Sequence, residues 1–247
     1  MADTDHRPTV LVTGGSRGIG RAICLEFGRN GWRVGVHYRE RRQEAEGTTD
    51  LIKRSGGEAL PYPAEIRDTR QVDRLVQDVA GRWGRLDVMI CNAGAAASGL
   101  VLRLSPEEWS AQIETNLTGT FHCVQAAGRV MCAQGDGTII VLASYAGLQG
   151  GPGQAAYAAS KAGLLGLVKT AAREWGPHNV RINAVCPGWH RTDLSGSAIP
   201  DPAEDTGPSE HVLGRFVDLT EVARSIYHLA LLQDISGQVW NLDSRIL

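Results

Sequence analysis

Short strand-like runs, most of them apolar and β-branched, recur at residues 9–13, 33–37, 58–62, 86–91, 137–143, 181–185 and 237–242. Between them lie longer stretches in which apolar positions return every three or four residues, clearest at 68–83, 106–132 and 154–175. This alternation predicts an α/β fold built as a doubly wound parallel sheet of about seven strands with helices on both faces, because parallel neighbours need crossover connections. No repeat or linker interrupts the pattern. At 43% hydrophobic residues, a chain of 247 can bury one large core, so residues 1–247 read as a single domain. Ligands of such sheets bind beyond the carboxyl ends of the strands. Gly14, Asn92, Ser144 and Pro187 each follow an expected strand.

The first of these places is a glycine-rich turn. Thr9-Val10-Leu11-Val12-Thr13 runs into Gly14-Gly15-Ser16-Arg17-Gly18-Ile19-Gly20 and leaves as a helical pattern. Strand, turn and helix in that order are the context a dinucleotide needs. Glycines allow a tight turn and close approach to phosphate, and free N–H groups at a helix start favour the pyrophosphate. Gly14, Ser16, Arg17, Gly18, Ile19 and Gly20 are therefore candidate cofactor residues in a Rossmann-type fold. The spacing is Gly-x-x-x-Gly-x-Gly, not the commoner Gly-x-Gly-x-x-Gly.

Charge bears on which dinucleotide is bound. Where an NAD-binding protein places a carboxylate at the end of the second strand, this chain reads Val36-His37-Tyr38-Arg39-Glu40-Arg41-Arg42. Arg39 and Arg17 suit a 2′-phosphate, since a guanidinium donates two parallel hydrogen bonds to it. NADP(H) is favoured. The rival reading makes the arginines a solvated helix start and Glu40 a ribose ligand.

Tyr157 and Lys161 stand four apart on an expected helix, hence on one face. A cation beside a phenol lowers its pKa and makes it a usable proton donor or acceptor. Tyr-x-x-x-Lys alone is a weak signal, and a surface pair is the bland alternative.

Taken together, Thr13-Gly14-x-x-x-Gly18-x-Gly20, Asn92-Ala93-Gly94, Asn116, Ser144, Tyr157-x-x-x-Lys161 and Pro187-Gly188 resemble the short-chain dehydrogenase/reductase family almost end to end. Within it, Asn116-Leu117-Thr118-Gly119-Thr120-Phe121, residues 153–163 and Leu213-Gly214-Arg215-Phe216 are most similar to the 3-oxoacyl-carrier-protein reductases. The resemblance implies that Tyr157 is the proton donor, that Lys161 also bonds the nicotinamide ribose, and that Ser144, thirteen residues before the tyrosine, stabilises developing alkoxide charge. Asn116 would hold a water that relays protons. By the same resemblance Glu65 and Ile66 meet the adenine, and Asn92, Ala93 and Gly94 pack beside its ribose and steady the sheet. Pro187 and Gly188 border the nicotinamide, and Thr192 contacts its carboxamide or the phosphates. Residues 193–212 correspond to a substrate lid, and Trp189 and His190 are candidate pocket residues with Ser144. Relatives are mostly homotetramers, some homodimers, paired through the long helices carrying Asn116 and Tyr157.

The expected reaction is NADPH-dependent reduction of a ketone, foremost a 3-oxoacyl thioester. Alternatives are reduction of another small or aromatic ketone, oxidation of an alcohol or sugar with NAD, and a silent NADP-binding module that senses redox state. An acidic stretch (Asp201, Glu204, Asp205, Glu210) and the absence of a basic cluster near Asp136 and His178 weaken the case for an acidic carrier protein. The end, Asn241-Leu242-Asp243-Ser244-Arg245, also departs from the usual Asp-Gly-Gly. A net charge of −2 offers nucleic acid no footprint. The polar start and the lack of a long apolar run predict no membrane association. Five scattered cysteines read as reduced thiols of a cytoplasmic protein, and neither they nor the seven histidines have metal-ligand spacing.

Overall fold

A computed structural model describes residues 7–190 and 211–246. The elements alternate as expected: β1 (Thr9–Val12), α1 (Gly18–Arg29), β2 (Arg33–Tyr38), α2 (Arg42–Arg54), β3 (Glu58–Pro63), α3 (Thr69–Trp83), β4 (Val88–Cys91), α4 (Pro106–Ile113), α5 (Gly119–Gln134), β5 (Gly137–Leu142), α6 (Ala146–Gln149), α7 (Ala155–Trp175), β6 (Val180–Cys186), α8 (Leu219–Ala230) and β7 (Val239–Asn241). The strands form one seven-stranded sheet in the order β3-β2-β1-β4-β5-β6-β7, with every pairing parallel. Seven expected strands are found, each bounded within two residues of the sequence reading.

Side-chain alternation along the central strands divides the core between two faces. Leu11, Met89, Ile139, Val141 and Ile182 point to the side covered by α3, α5 and α7. Val10, Val12, Val34, Val36, Ile90 and Ile140 point to the side where Ile23 and Phe27 of α1 and Val222 and Ile226 of α8 close over them. These strands are buried on both faces, which explains their unbroken apolar sequence. Each large side chain fully removed from water contributes roughly 1.5–3 kcal/mol.

Ends of helices follow local chemistry. Asp68 and Asp218 cap α3 and α8 by accepting the next backbone N–H groups, and Ser105 with Glu108 makes a capping box on α4. The expected helix over 106–132 is continuous in path but contains a π-helical turn, Glu114–Thr118, centred on Asn116. Among the described residues, no helix is long and apolar enough to cross a membrane.

Candidate active site

The chain winds outward from β1 to β3 and then returns to place β4 on the other side of β1. That reversal opens a crevice above the carboxyl ends of β1 and β4. The first residue beyond β1 organises it. Thr13 Oγ1 donates to the Ile90 carbonyl at 3.2 Å and accepts the N–H groups of Asn92 (2.9 Å) and Ala93 (3.1 Å). Asn92 Nδ2 answers by donating to the carbonyls of Thr13 (2.9 Å) and Gly14 (3.2 Å). The expectation that Asn92 steadies the sheet thus has a specific form: it ties the glycine turn to β4.

Glycine is needed in that turn on two counts. Gly14 and Gly18 have φ of +67° and +54°, the left-handed region that side chains disfavour. At Gly20 a Cβ would stand 2.2 Å from the Gly14 carbonyl oxygen and 2.6 Å from Asn92 Nδ2. Arg17 occupies the N-cap of α1 and makes no side-chain cap bond, which leaves the N–H groups of the first turn for an anion.

From this turn a cleft of about 510 Å³ extends past the ends of β2 and β3. Gly14, Arg17, Gly18, Ile19, Gly20, Arg39, Glu65, Ile66, Asn92, Ala93 and Gly94 all line it, as does Arg41. The apolar and cationic walls and the side-chain-free floor fit a dinucleotide. Ser16 is buried instead, its carbonyl accepting from Thr48 Oγ1 at 3.3 Å. Arg39 pairs with Glu40 (2.9 Å) and more loosely with Glu65 (3.9 Å). Glu40 lies in the same cleft, so the rival ribose ligand is also in place. The Glu65 carboxyl is held below its ordinary range, chiefly by the hydrogen bond from Arg67 at 2.7 Å.

His37, where a carboxylate would mark NAD, is a structural bridge. Its Nδ1 accepts the Gly14 N–H and its Nε2–H donates to the Ala64 carbonyl, both at 3.0 Å. Those two bonds select the neutral Nε2–H tautomer. Burial pushes the imidazole down from 6.5 to about 4. A depressed histidine favours the folded state fully above the unfolded value, and that contribution disappears as pH falls toward the folded one. Stability should therefore drop between pH 6.5 and 4, by about 3 kcal/mol from this group. Urea unfolding across that range should show the slope in the parent protein and a clearly shallower one in His37→Asn. Identical slopes would remove His37 as its source.

The catalytic candidates do not line this cleft but gather behind its Gly94 wall. Lys161 is buried, and its Nζ donates to the Leu142 carbonyl at 2.7 Å while lying 5.7 Å from the centre of the Tyr157 ring. A side chain at Gly94 would lie 3.1 Å from Asn116 Oδ1 and 3.8 Å from Lys161 Nζ, so this residue of the cleft wall packs beside both. Ser144 Oγ accepts the Ala146 N–H at 3.2 Å and lies close enough to Tyr157 to lower its phenol. Asn116 is fully buried: Oδ1 accepts the Ala95 N–H (2.7 Å), and Nδ2 donates to the Ala95 carbonyl (2.8 Å) and to Ser160 Oγ (3.2 Å). Ser160 in turn donates to the Tyr157 carbonyl at 2.7 Å. Ser144, Tyr157, Lys161 and Asn116 are thus brought together.

One expectation changes. The phenol of Tyr157 is pushed up, not down, because burial outweighs the lowering effect of Ser144. Burial also depresses Lys161 to about 8, and its ammonium faces the Leu142 carbonyl. Both amide N–H groups of Asn116 are engaged, and a second lone pair of Oδ1 stays available on that side chain.

Pro187 and Gly188 follow β6, and Gly188 (φ +86°) packs against Asp243. His190 is buried and its Nε2–H donates to the Pro187 carbonyl at 2.7 Å, while Trp189 is partly exposed. Thr192 and nearly all of the expected lid at 193–212 lie outside the described residues. Sequence reasoning missed Thr13 as the hub of the crevice, Arg41 in the cleft wall, and a buried pair, Asp243 and Arg245, beside Tyr145. Only the altered C-terminal ending hinted at the last. The cysteines are free thiols, and Cys24, Cys91, Cys123 and Cys186 are buried.

Residues 8–203 match the short chain dehydrogenase family. The chain is 38% identical over 222 residues to the 3-oxoacyl-[acyl-carrier-protein] reductase FabG of Staphylococcus aureus, covering 90% of each. It is 39% identical over 240 residues to the 3-oxoacyl-[acyl-carrier-protein] reductase of Synechocystis, covering 96% of each. A crystal structure from Sinorhizobium meliloti, provisionally described as a short-chain alcohol dehydrogenase, superposes with a TM-score of 0.89 at 30% identity, over 96% of this chain and 95% of that one.

Proposed function

Because the chain belongs to the short-chain dehydrogenase/reductase family and is an NAD(P)(H)-dependent oxidoreductase of CH–OH and ketone groups, we propose that it uses NADPH to reduce a 3-oxoacyl thioester. The observation that carries the reductase reading is the gathering of Ser144, Tyr157 and Lys161 close behind Gly94 of the cleft wall. The thioester rests on the extent of similarity to the two carrier-protein reductases.

NADP(H), when bound, supplies the hydride. The turn at Gly14, Arg17, Gly18, Ile19 and Gly20 would hold its pyrophosphate, with Glu65, Ile66, Asn92, Ala93 and Gly94 about the adenosine; by family resemblance Pro187, Gly188 and Thr192 would border the nicotinamide. Tyr157 donates the proton to the ketone oxygen; a phenol pushed up by burial stays protonated at neutral pH, as an acid in the reducing direction must. Ser144 donates a hydrogen bond to the same oxygen as charge develops. Lys161, lowered to about 8 by burial, can return a proton to the tyrosinate that donation leaves. Asn116 holds the Ala95 backbone and, through Ser160, the Tyr157 turn of α7.

Arg17, Arg39 and Arg41 around the end of β2 support NADPH over NADH, since three guanidiniums outnumber Glu40 and Glu65 in that part of the cleft. Arg39→Ala should raise the NADPH dissociation constant about 10- to 50-fold, as loss of a charged hydrogen bond does, and leave NADH nearly unchanged. Equal losses for both would take Arg39 off the phosphate. Exposed Trp109 and Phe121 on α4 and α5 support assembly through the long helices, as a homotetramer or homodimer.

The substrate assignment is tested by NADPH oxidation against acetoacetyl-CoA and a panel of small and aromatic ketones. Strong turnover of acetoacetyl-CoA is the expected result. Turnover of other ketones only would keep the chemistry and discard the thioester.

A further inference from the structure

Among the described residues, the ion pair with both side chains most deeply buried follows β7. Asp243 and Arg245 pair at 2.8 Å through the guanidinium Nε, with their side chains 0% and 7% exposed. The Arg245 N–H also donates to Asp243 Oδ1 at 3.0 Å, and Asn241 Nδ2 donates to the Arg245 carbonyl at 2.7 Å. These bonds curl the segment after β7 into a tight, self-bonded loop.

Three elements of the site meet that loop. The Arg245 guanidinium lies over the Tyr145 ring, 4.0 Å from its centre, and the Tyr145 hydroxyl donates to the Ile246 carbonyl at 3.4 Å. Tyr145 is the residue after Ser144, in the turn that leads into α6. Asp243 packs on Gly188, where a Cβ would stand only 2.8 Å from the Asp243 Cβ. The Val212 N–H donates to the Ser244 carbonyl at 3.2 Å, and His211 forms an isolated bridge with Arg245. A buried ion pair is an expensive way to fill space, because desolvation consumes most of its attraction and apolar residues of similar volume do as well. What apolar residues could not supply is a cation on the Tyr145 face.

We infer that Arg245 is a positioning residue for the reduction: oriented by Asp243, it clamps the Tyr145 ring and so holds the neighbouring Ser144 in place beside Tyr157. The inference rests on the role given to Ser144 above. It gains support from the groups that face Tyr157, which are Ser144, Lys161 and Cys186. Of these, Ser144 is the one that offsets the upward push of burial on the phenol. A serine released from its place would leave the phenol higher still.

Two variants loosen the clamp from opposite sides. Tyr145→Leu removes the stacking surface and leaves the ion pair intact. Asp243→Asn combined with Arg245→Met removes both charges at once, so neither is left buried alone. Tyr145→Phe keeps the ring. In protein shown to be folded by circular dichroism, the first two should lower kcat about 5- to 50-fold, as expected for a misplaced donor. NADPH affinity should stay within about twofold. The basic limb of the pH–kcat profile should move to higher pH, in the direction that Ser144→Ala moves it, and Tyr145→Phe should behave as the parent. Tyrosinate absorbance during alkaline titration of the double variant and of Ser144→Ala reads the same shift without turnover, and so separates a failed clamp from a failed reductase reading. Parental kcat and an unmoved tyrosinate titration in the folded double variant would overturn the inference. So would a Ser144→Ala protein whose phenol titrates as in the parent.

Discussion

Tyr157→Phe is expected to lower ketone reduction by about 10³-fold and to leave NADPH affinity within about twofold, since general acid catalysis contributes roughly 10²–10⁴-fold. The substitution removes one oxygen. The ring stays where α7 puts it, 5.7 Å from Lys161 Nζ, and Ser160 keeps its bond to the Tyr157 carbonyl. The cleft that would take the cofactor is bounded by other residues. Loss of turnover with binding retained therefore isolates the proton donor. A Tyr157→Phe protein that turns over within about tenfold of the parent would mean that the acid is elsewhere.

Gly20→Ala should have the second large effect. Its Cβ would collide at 2.2 Å with the Gly14 carbonyl oxygen and at 2.6 Å with Asn92 Nδ2. Both belong to the hydrogen-bonded hub around Thr13, so neither can move away alone. Separation of the turn from α1 would spoil the anion site as well as the packing. We expect NADPH affinity to fall at least ~100-fold and stability to fall by about 1–3 kcal/mol, as overpacking usually costs. Gly81 on α3, with open space around it, is the control, and Gly81→Ala should be neutral or stabilising by up to about 1 kcal/mol. Fluorescence titration with NADPH and urea unfolding measure both effects. Parental affinity in Gly20→Ala would show that the turn does not depend on this close approach.

Much of this was legible in the chain because the relevant information is local. Unbroken apolar runs such as Val10-Leu11-Val12 announce strands buried on both faces, and glycines at 14, 18 and 20 announce a turn that comes close to something. What stayed hidden depends on partners far apart in sequence. Periodicity over 106–132 carries no sign of the π turn at Asn116, whose amide is engaged by Ala95 and Ser160. The fourth strand starts at Val88, not at residue 86, because the Asp87 carboxylate turns to the Thr9 N–H at 2.7 Å and to Arg85. The four-residue spacing of Tyr157 and Lys161 places them on one face but says nothing of burial. Burial is what raises the phenol and lowers the ammonium, reversing the shift expected for Tyr157. Arg245 was visible as an oddity of the ending, while its contact with Tyr145 spans a hundred residues of chain and needs the fold to be seen.

The most direct measurement is label transfer. Acetoacetyl-CoA would be reduced with NADPH carrying deuterium on the transferable position of the nicotinamide, and the product mass recorded for the parent and for Tyr157→Phe. The account predicts a 3-hydroxyacyl product one mass unit heavier, with the label on the carbinol carbon, and almost none from the variant. Bound NADPH with no label in any product, or equal labelling by the two proteins, would contradict it.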